Sequence, residues 1–309
     1  MTPAISFNAV VKRYENTEAL RSLTFAVNPG EMFGLIGPDG AGKTTAIRLM
    51  CGLLHADAGE IRVLGRDPVR EHRQVTASVG YLSQHFSLYR DLTVDENVAF
   101  FAEIHGVTAY RSRRDQLLEM TQLAPFRRRL ADRLSGGMKQ KLALVCTLVH
   151  QPQLLLLDEP TTGVDPISRR EFWKLLSEFL SQGITILMST PYLDEAERCS
   201  RVALLYEGQL LANDEPSQLR LRIPGRIVEV NARGDAAAAD AIRKLPGVSD
   251  AQVFGERLHV VLEDTSDAAI SRFASALRAT PVGNVPVRAV PPSLEDVFIA
   301  QIGEKDRLS

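Results

Sequence analysis

The stretch Gly37-Pro38-Asp39-Gly40-Ala41-Gly42-Lys43-Thr44-Thr45 constrains this chain more than any other. It fits the spacing G-x-x-x-x-G-K-[ST], the pattern of a loop that wraps the phosphates of a nucleotide. The glycines let the backbone turn so that several N–H groups point inward and form a nest for phosphate oxygens. Lys43 supplies a positive charge to the outer phosphates, and the Thr44 hydroxyl can ligate Mg²⁺. A helix that begins here turns its N-terminal dipole and free N–H groups toward the same anion. By composition alone the pattern would arise in roughly one chain in a hundred of this length. The flanks narrow it further: Met32-Phe33-Gly34-Leu35-Ile36 reads as a strand and Ala46-Ile47-Arg48-Leu49-Met50 as a helix. A nucleotide binder is expected.

With 309 residues the chain has room for one large domain and a small one. Its 45% hydrophobic and 24% charged residues are ordinary for a globular protein, and a net charge of −2 gives no overall pull toward nucleic acid or anionic lipid. The arginine clusters at Arg111, Arg113 and Arg114 and at Arg127, Arg128 and Arg129 lack interleaved aromatic residues and read as solvated helix faces. Cys51, Cys146 and Cys199 lie far apart without a C-x-x-C pair, which argues against a disulfide framework or zinc site and suits a reducing compartment. No basic segment followed by an apolar core opens the chain, so no signal peptide is expected. No run approaches the about 18 consecutive apolar residues needed to span a bilayer, so any spanning part is expected from another chain.

Short antiparallel strands are expected around Ile5-Ser6-Phe7 with Val10-Val11 and Leu23-Thr24-Phe25-Ala26-Val27, then the strand into the loop. A glycine-bounded strand over 59–65 and a strand over 79–84 follow. A helical region runs from 94 to about 133, capped at Asp91-Leu92-Thr93 and broken at Gly106, and Ser135-Gly136-Gly137 opens a further helix. Leu154-Leu155-Leu156-Leu157-Asp158-Glu159 is a continuous apolar run ending in acids, the mark of a buried parallel strand with chemistry at its C-terminal end. A helix over 168–181, a buried strand over 184–189 and a hairpin over 202–212 complete an alternation that implies a doubly wound parallel sheet. Composition shifts around 221–225. Beyond it the order is strand 227–230, helix 236–245, strands 249–254 and 257–262, helix 268–277 and strand 285–289, a βαββαβ ferredoxin-like pattern. That tail holds no nucleophile–base pair and reads as a structural or regulatory appendage. The expected architecture is α/β: a P-loop NTPase core with antiparallel β and helical subdomains over 1–222, and a ferredoxin-like α+β domain over 223–309.

Leu134-Ser135-Gly136-Gly137-Met138-Lys139-Gln140, taken with the phosphate loop, resembles the signature of the ATP-binding cassette (ABC) ATPases. The resemblance covers about 5–212. The tail Pro292-Ser293-Leu294-Glu295-Asp296-Val297-Phe298 is similar to that of cassettes serving drug- and antibiotic-efflux permeases, and the chain resembles the N-terminal cassette of the YbhF-like tandem ATPases. The resemblance implies ATP and Mg²⁺ as ligands and roles for matching residues. Tyr14 would stack on adenine, Gln84 would complete the Mg²⁺ shell and sense the γ-phosphate, and Asp158 would orient Mg²⁺ through water. Glu159 would polarise the attacking water as general base. Ser135, Gly136, Gly137 and Met138 would cap the γ-phosphate of a second cassette facing this one head to tail, and Gly163-Val164-Asp165 would cross to that partner's site. Many members carry Gln where Met138 stands, and Met occurs in the efflux subgroup. Phe86, Leu88 and Tyr89 fall where the family forms a groove for a permease's coupling helix; an apolar slot or the core of the helical subdomain would both account for them.

One position departs from the pattern. Ser189-Thr190-Pro191 aligns where the family has Thr-His, so the switch histidine that donates to the γ-phosphate is Pro191 here. Proline has neither a side-chain donor nor a backbone N–H. The resemblance therefore implies an ATPase subunit of an exporter, peripheral on the cytoplasmic face of the membrane, whose own site binds ATP and hydrolyses it slowly. Integral-membrane permease subunits and a second, distinct cassette are the expected partners, a heterodimer rather than a homodimer, with no nucleic acid. The alternatives are a mainly non-hydrolytic regulatory cassette in such a heterodimer and, less in keeping with the tail, a non-transport ABC protein.

Overall fold

In the first part of the chain apolar and polar residues alternate, and the strands this produces pair antiparallel. The computed structural model describes residues 2–84, 88–232 and 236–308. β1 (Ile5–Tyr14) lies between β2 (Thr17–Val27) and β4 (Ala58–Val63), with Ile5 opposite both Val27 and Val63. The strands are longer than the sequence pattern indicated because register shifts after Phe7 and Val10 interrupt the alternation without ending the pairing. Phe7 stacks on Phe25 at 4.8 Å and Phe25 on Phe33 at 5.6 Å, seating this sheet on β3 (Met32–Ile36).

β3 belongs to a six-stranded sheet with β5 (Val79–Leu82), β6 (Leu154–Asp158), β7 (Thr185–Thr190), β8 (Arg201–Tyr206) and β9 (Gln209–Asp214). The order is β5-β6-β7-β3-β8-β9, parallel except for β9, which returns from β8 as a hairpin. All of β6 is buried, as expected of a parallel strand covered on both faces. α1 (Lys43–Met50) packs between β6 and the antiparallel sheet, and α5 (Gly136–Leu148) and α6 (Pro166–Ser181) also pack against the parallel strands. The registers Ile36↔Thr190 and Asp158↔Ser189 bring the C-terminal ends of β3, β6 and β7 side by side. That edge is where a ligand binds in an open parallel sheet.

The helical region contains α3 (Val94–Ile104) and α4 (Arg111–Met120), preceded by α2 (His72–Ser78). Thr93 and Glu96 form a reciprocal capping box that fixes the start of α3. Buried Asn97 donates to the carbonyls of Tyr89, Leu92 and Thr93 and accepts from the N–H of Tyr89 at 3.0 Å, holding the preceding turn. α6 begins at Pro166, two residues before the expected 168, because the Asp165 carboxylate accepts from the N–H groups of Ile167 and Ser168 and proline suits the first helical position. The Ser168 hydroxyl and N–H hold the Asp165 carboxyl below the usual range. A short α7 (Leu193–Ala196) follows β7.

Met1–Glu215 and Pro216–Ser309 form separate compact units. The division falls before α8 (Pro216–Arg220), earlier than the composition shift, because α8 packs against α11 (Leu294–Leu308). In the second unit β10 (Arg226–Val230), α9 (Ala236–Arg243), β11 (Val248–Phe254), β12 (Arg257–Leu262), α10 (Asp267–Leu277) and β13 (Val287–Ala289) follow in order. The sheet order β11-β12-β10-β13, antiparallel throughout, is that of the ferredoxin-like fold. Val228, Val230, Leu258 and Val260 meet Ile242 of α9 and Phe273 and Leu277 of α10 in its core. On α11, Ser293 and Asp296 form a capping box, and Asp296 also pairs with His259 Nδ1 at 2.8 Å.

Candidate nucleotide-binding site

The loop between β3 and α1 approaches neighbouring backbone too closely for any side chain at two of its glycines. A Cβ on Gly37 would collide with the Leu205 carbonyl oxygen, and one on Gly42 would lie 2.6 Å from that of Ala19. Gly42 also has φ +100°, which only glycine adopts readily. The backbone thereby curls over a cleft of about 420 Å³ lined by Tyr14, Ala19, Asp39, Gly40, Ala41, Gly42, Lys43, Thr44, Thr45, Gln84 and Glu159. Residues from four separated parts of the sequence meet there.

Lys43 Nζ donates to the carbonyls of Gly37 at 2.8 Å and Pro38 at 3.1 Å, and lies 3.2 Å from Glu159 Oε1. Both side chains of this ion pair are buried. Gln84 Nε2 donates to the other Glu159 oxygen at 3.1 Å, and the Thr162 hydroxyl donates to that same oxygen at 3.4 Å. Glu159 itself sits at φ +49°, in the left-handed region that a non-glycine residue occupies only when its surroundings hold it there.

Asp158, at the end of β6, accepts from the Thr44 hydroxyl at 3.1 Å and the Ser189 hydroxyl at 2.6 Å, both on Oδ1. Its Oδ2 is buried without a hydrogen-bond partner. A buried carboxylate oxygen left unpaired beside a hydroxyl is costly unless a cation takes it. Carboxylate, hydroxyl and amide oxygens are the donors a hard divalent ion prefers, so Asp158, Thr44 and Gln84 fit Mg²⁺. Tyr14, 41% exposed, lines the cleft with Lys12 Nζ 5.5 Å from its ring centroid.

Pro191 follows Thr190, whose carbonyl accepts from the N–H of Gly37 at 3.4 Å, so it stands beside the loop. Ser135, Gly136, Gly137 and Met138 do not line this cleft. Ser135 caps α5, its hydroxyl accepting from the N–H of Met138 at 3.3 Å, with Ser135 and Gly136 exposed. Gly137 is pressed against Ser168 beside Asp165, joining the signature turn to the start of α6. Of the residues assigned either to a permease groove or to the core of the helical subdomain, Phe86 lies outside the described residues, Leu88 is half-buried, and Tyr89 is 48% exposed with its ring 4.3 Å from that of Phe100.

Sequence reasoning missed Ser189, which donates to Asp158 and accepts from the N–H of Glu159 at 3.0 Å. It also missed Thr162 and the buried network of Thr161, Thr190 and Glu195. A hydroxyl residue ending an otherwise apolar strand beside an acid pair was the available signal for Ser189.

The family model described as ABC transporter matches residues 20–162. The chain is 41% identical over 305 residues to the probable multidrug ABC transporter ATP-binding protein YbhF of Escherichia coli (strain K12), covering 97% of this chain and 52% of that one. It thus spans about half the length of that relative. It is 35% identical to the daunorubicin resistance ATP-binding protein DrrA3 of Streptomyces coeruleorubidus, covering 99% of this chain and 98% of that one. Among solved structures, an ATP-binding subunit of an ABC transporter matches with a TM-score of 0.65 and 30% identity over 72% of this chain and 93% of the other. No helix among the described residues is long and apolar enough to cross a membrane. A complete phosphate loop, an acid pair at the end of β6 and 35% identity to a relative covered to 98% of its length lead to one conclusion: the chain belongs to the ATP-binding cassette family of the ABC transporter type.

Proposed function

We propose that this chain powers a membrane exporter of drugs or other small molecules, binding MgATP in its own cleft but hydrolysing it slowly there. The observation that carries the reading is the pairing of a complete binding apparatus with proline at position 191. Loop N–H groups and Lys43 hold the phosphates, with Lys43 exchanging Glu159 and the loop carbonyls for the γ-phosphate. Thr44, Asp158 and Gln84 would hold Mg²⁺, which when bound would supply positive charge to the phosphate oxygens. Glu159, held by Gln84 and Thr162, accepts a proton from the water that attacks the γ-phosphorus as the bond to ADP breaks. Tyr14 stacks on adenine. The histidine that would donate to the γ-phosphate has no substitute in Pro191, and losing one transition-state donor costs about 10²–10³ in rate.

Ser135, Gly136, Gly137 and Met138 present the exposed N-terminus of α5 to the γ-phosphate of a second cassette, and Asp165 crosses beside them. A partner that keeps its histidine then supplies the faster site, which favours a heterodimer bound to integral-membrane permease subunits on the cytoplasmic face. Pro191 equally favours a second reading, in which this site binds ATP to close the dimer and the partner performs all the hydrolysis. The names of the relatives, one a multidrug transporter protein and one a daunorubicin resistance protein, support efflux. Nucleotide exchange and turnover measured separately at the two sites of the assembled complex test both readings. Slow but measurable cleavage in this chain's cleft is expected. No cleavage there selects the non-hydrolytic reading, and equal rates at the two sites contradict both.

A further inference from the structure

We infer that Glu195 is a positioning residue that holds the general base Glu159 in its reactive place from the far side of the turn. Glu195 is 1% exposed, and both of its oxygens are engaged. The Thr161 hydroxyl donates to Oε1 at 2.6 Å and the Thr190 hydroxyl donates to Oε2 at 2.7 Å. Arg169 Nε, buried and without a hydrogen bond, lies 3.7 Å from Oε1, and the Arg169 guanidinium sits 5.0 Å from the Tyr192 ring centroid.

Thr161 belongs to the turn that follows Glu159, which lines the cleft, and Thr190 to the turn that follows β7. Thr161 closes the turn after Glu159: the N–H of Thr162 donates to the Glu159 carbonyl at 3.2 Å, and the N–H of Val164 to the Thr161 carbonyl at 3.1 Å. Glu159 is in the left-handed region, and Thr162, next to Thr161, touches its carboxylate. Thr190 closes the turn around Pro191, its hydroxyl accepting from the N–H of Tyr192 at 3.0 Å. One buried carboxylate therefore ties the turn of the general base to the turn of the switch position. Charge-assisted hydrogen bonds of this length are strong and directional. Without them the turn is free to relax its strained residue, and a displacement of about 1 Å at a reacting group costs on the order of 10² in rate.

The inference rests on Glu159 being the general base, and its test separates the two ideas. Cleavage of MgATP is followed in single turnover, with the 309-residue chain in excess of nucleotide, and affinity is measured in parallel with a fluorescent ATP analogue. Glu195→Ala is expected to slow cleavage about 10–100-fold with affinity changed by less than about threefold. Glu195→Gln, whose amide still meets both hydroxyls, is expected to restore the rate to within about fivefold of wild type. Thr161→Val, a change of one buried hydroxyl to methyl, is expected to slow cleavage in the same way and serves if Glu195→Ala does not fold. Adding Glu195→Ala or Thr161→Val to Glu159→Gln is expected to cost nothing further, because the group being positioned is already gone. An unchanged rate in both single variants, a fall in affinity matching the fall in rate, or equal losses with and without Glu159 would overturn the inference. Failure of the premise shows differently, as an unchanged rate in Glu159→Gln itself.

Discussion

Glu159→Gln is expected to lower the rate of ATP cleavage about 10²–10⁴-fold, the range that a positioned general base contributes. The amide keeps the shape of the carboxylate and its hydrogen bonding to Gln84 and Thr162 but cannot take the proton of the attacking water. ATP affinity is expected to hold or rise, because the ion pair that engages Lys43 at 3.2 Å is removed and the ammonium is left for the phosphates. Single-turnover cleavage and equilibrium binding, measured side by side, separate the two effects. A rate close to wild type would place the base elsewhere and undo the reading of the acid pair.

Pro191→His is expected to raise cleavage in this chain's own site about 10²–10³-fold, the worth of one donor aimed at charge that develops in the transition state. A hydrogen bond to a charged group contributes about 1.5–3 kcal/mol, enough for the larger part of that gain. The position beside the loop, set by the bond from Gly37 N–H to the Thr190 carbonyl, is the geometric ground for the expectation. Pro191→Ala is the control. It restores the backbone N–H without an imidazole, and its rate is expected to stay near wild type. If alanine raised the rate as much as histidine, the backbone of the turn and not the missing side chain would be at fault.

The parts of the site that could be read from the sequence are those whose chemistry is local. The phosphate loop is contiguous, Ser135 announces a helix start, and Leu154 through Glu159 spells a buried strand ending in acids. The ferredoxin-like order was legible for a similar reason, since its alternation of strands and helices shows in short windows. Ser189 and the bond from Thr161 to Glu195 were not legible, because Asp158 and Thr161 lie 31 and 34 residues from their partners and meet them only through the pairing of β6 with β7. α2 escaped notice because Glu71 makes no side-chain cap and Val75 alone is buried. α11 could have been found from the spacing of Ser293 and Asp296, a capping-box signal that the likeness to the efflux tail overshadowed.

The measurement that bears most directly on the account is steady-state turnover by the isolated wild-type chain at saturating MgATP, with bound nucleotide quantified in the same sample. Occupancy near one ATP per chain with little turnover is the predicted result, since Lys43, Thr44 and Asp158 are in place and the donor at position 191 is not. Turnover at rates within the usual range of about 1–10³ s⁻¹ for enzymes, with the same occupancy, would contradict it.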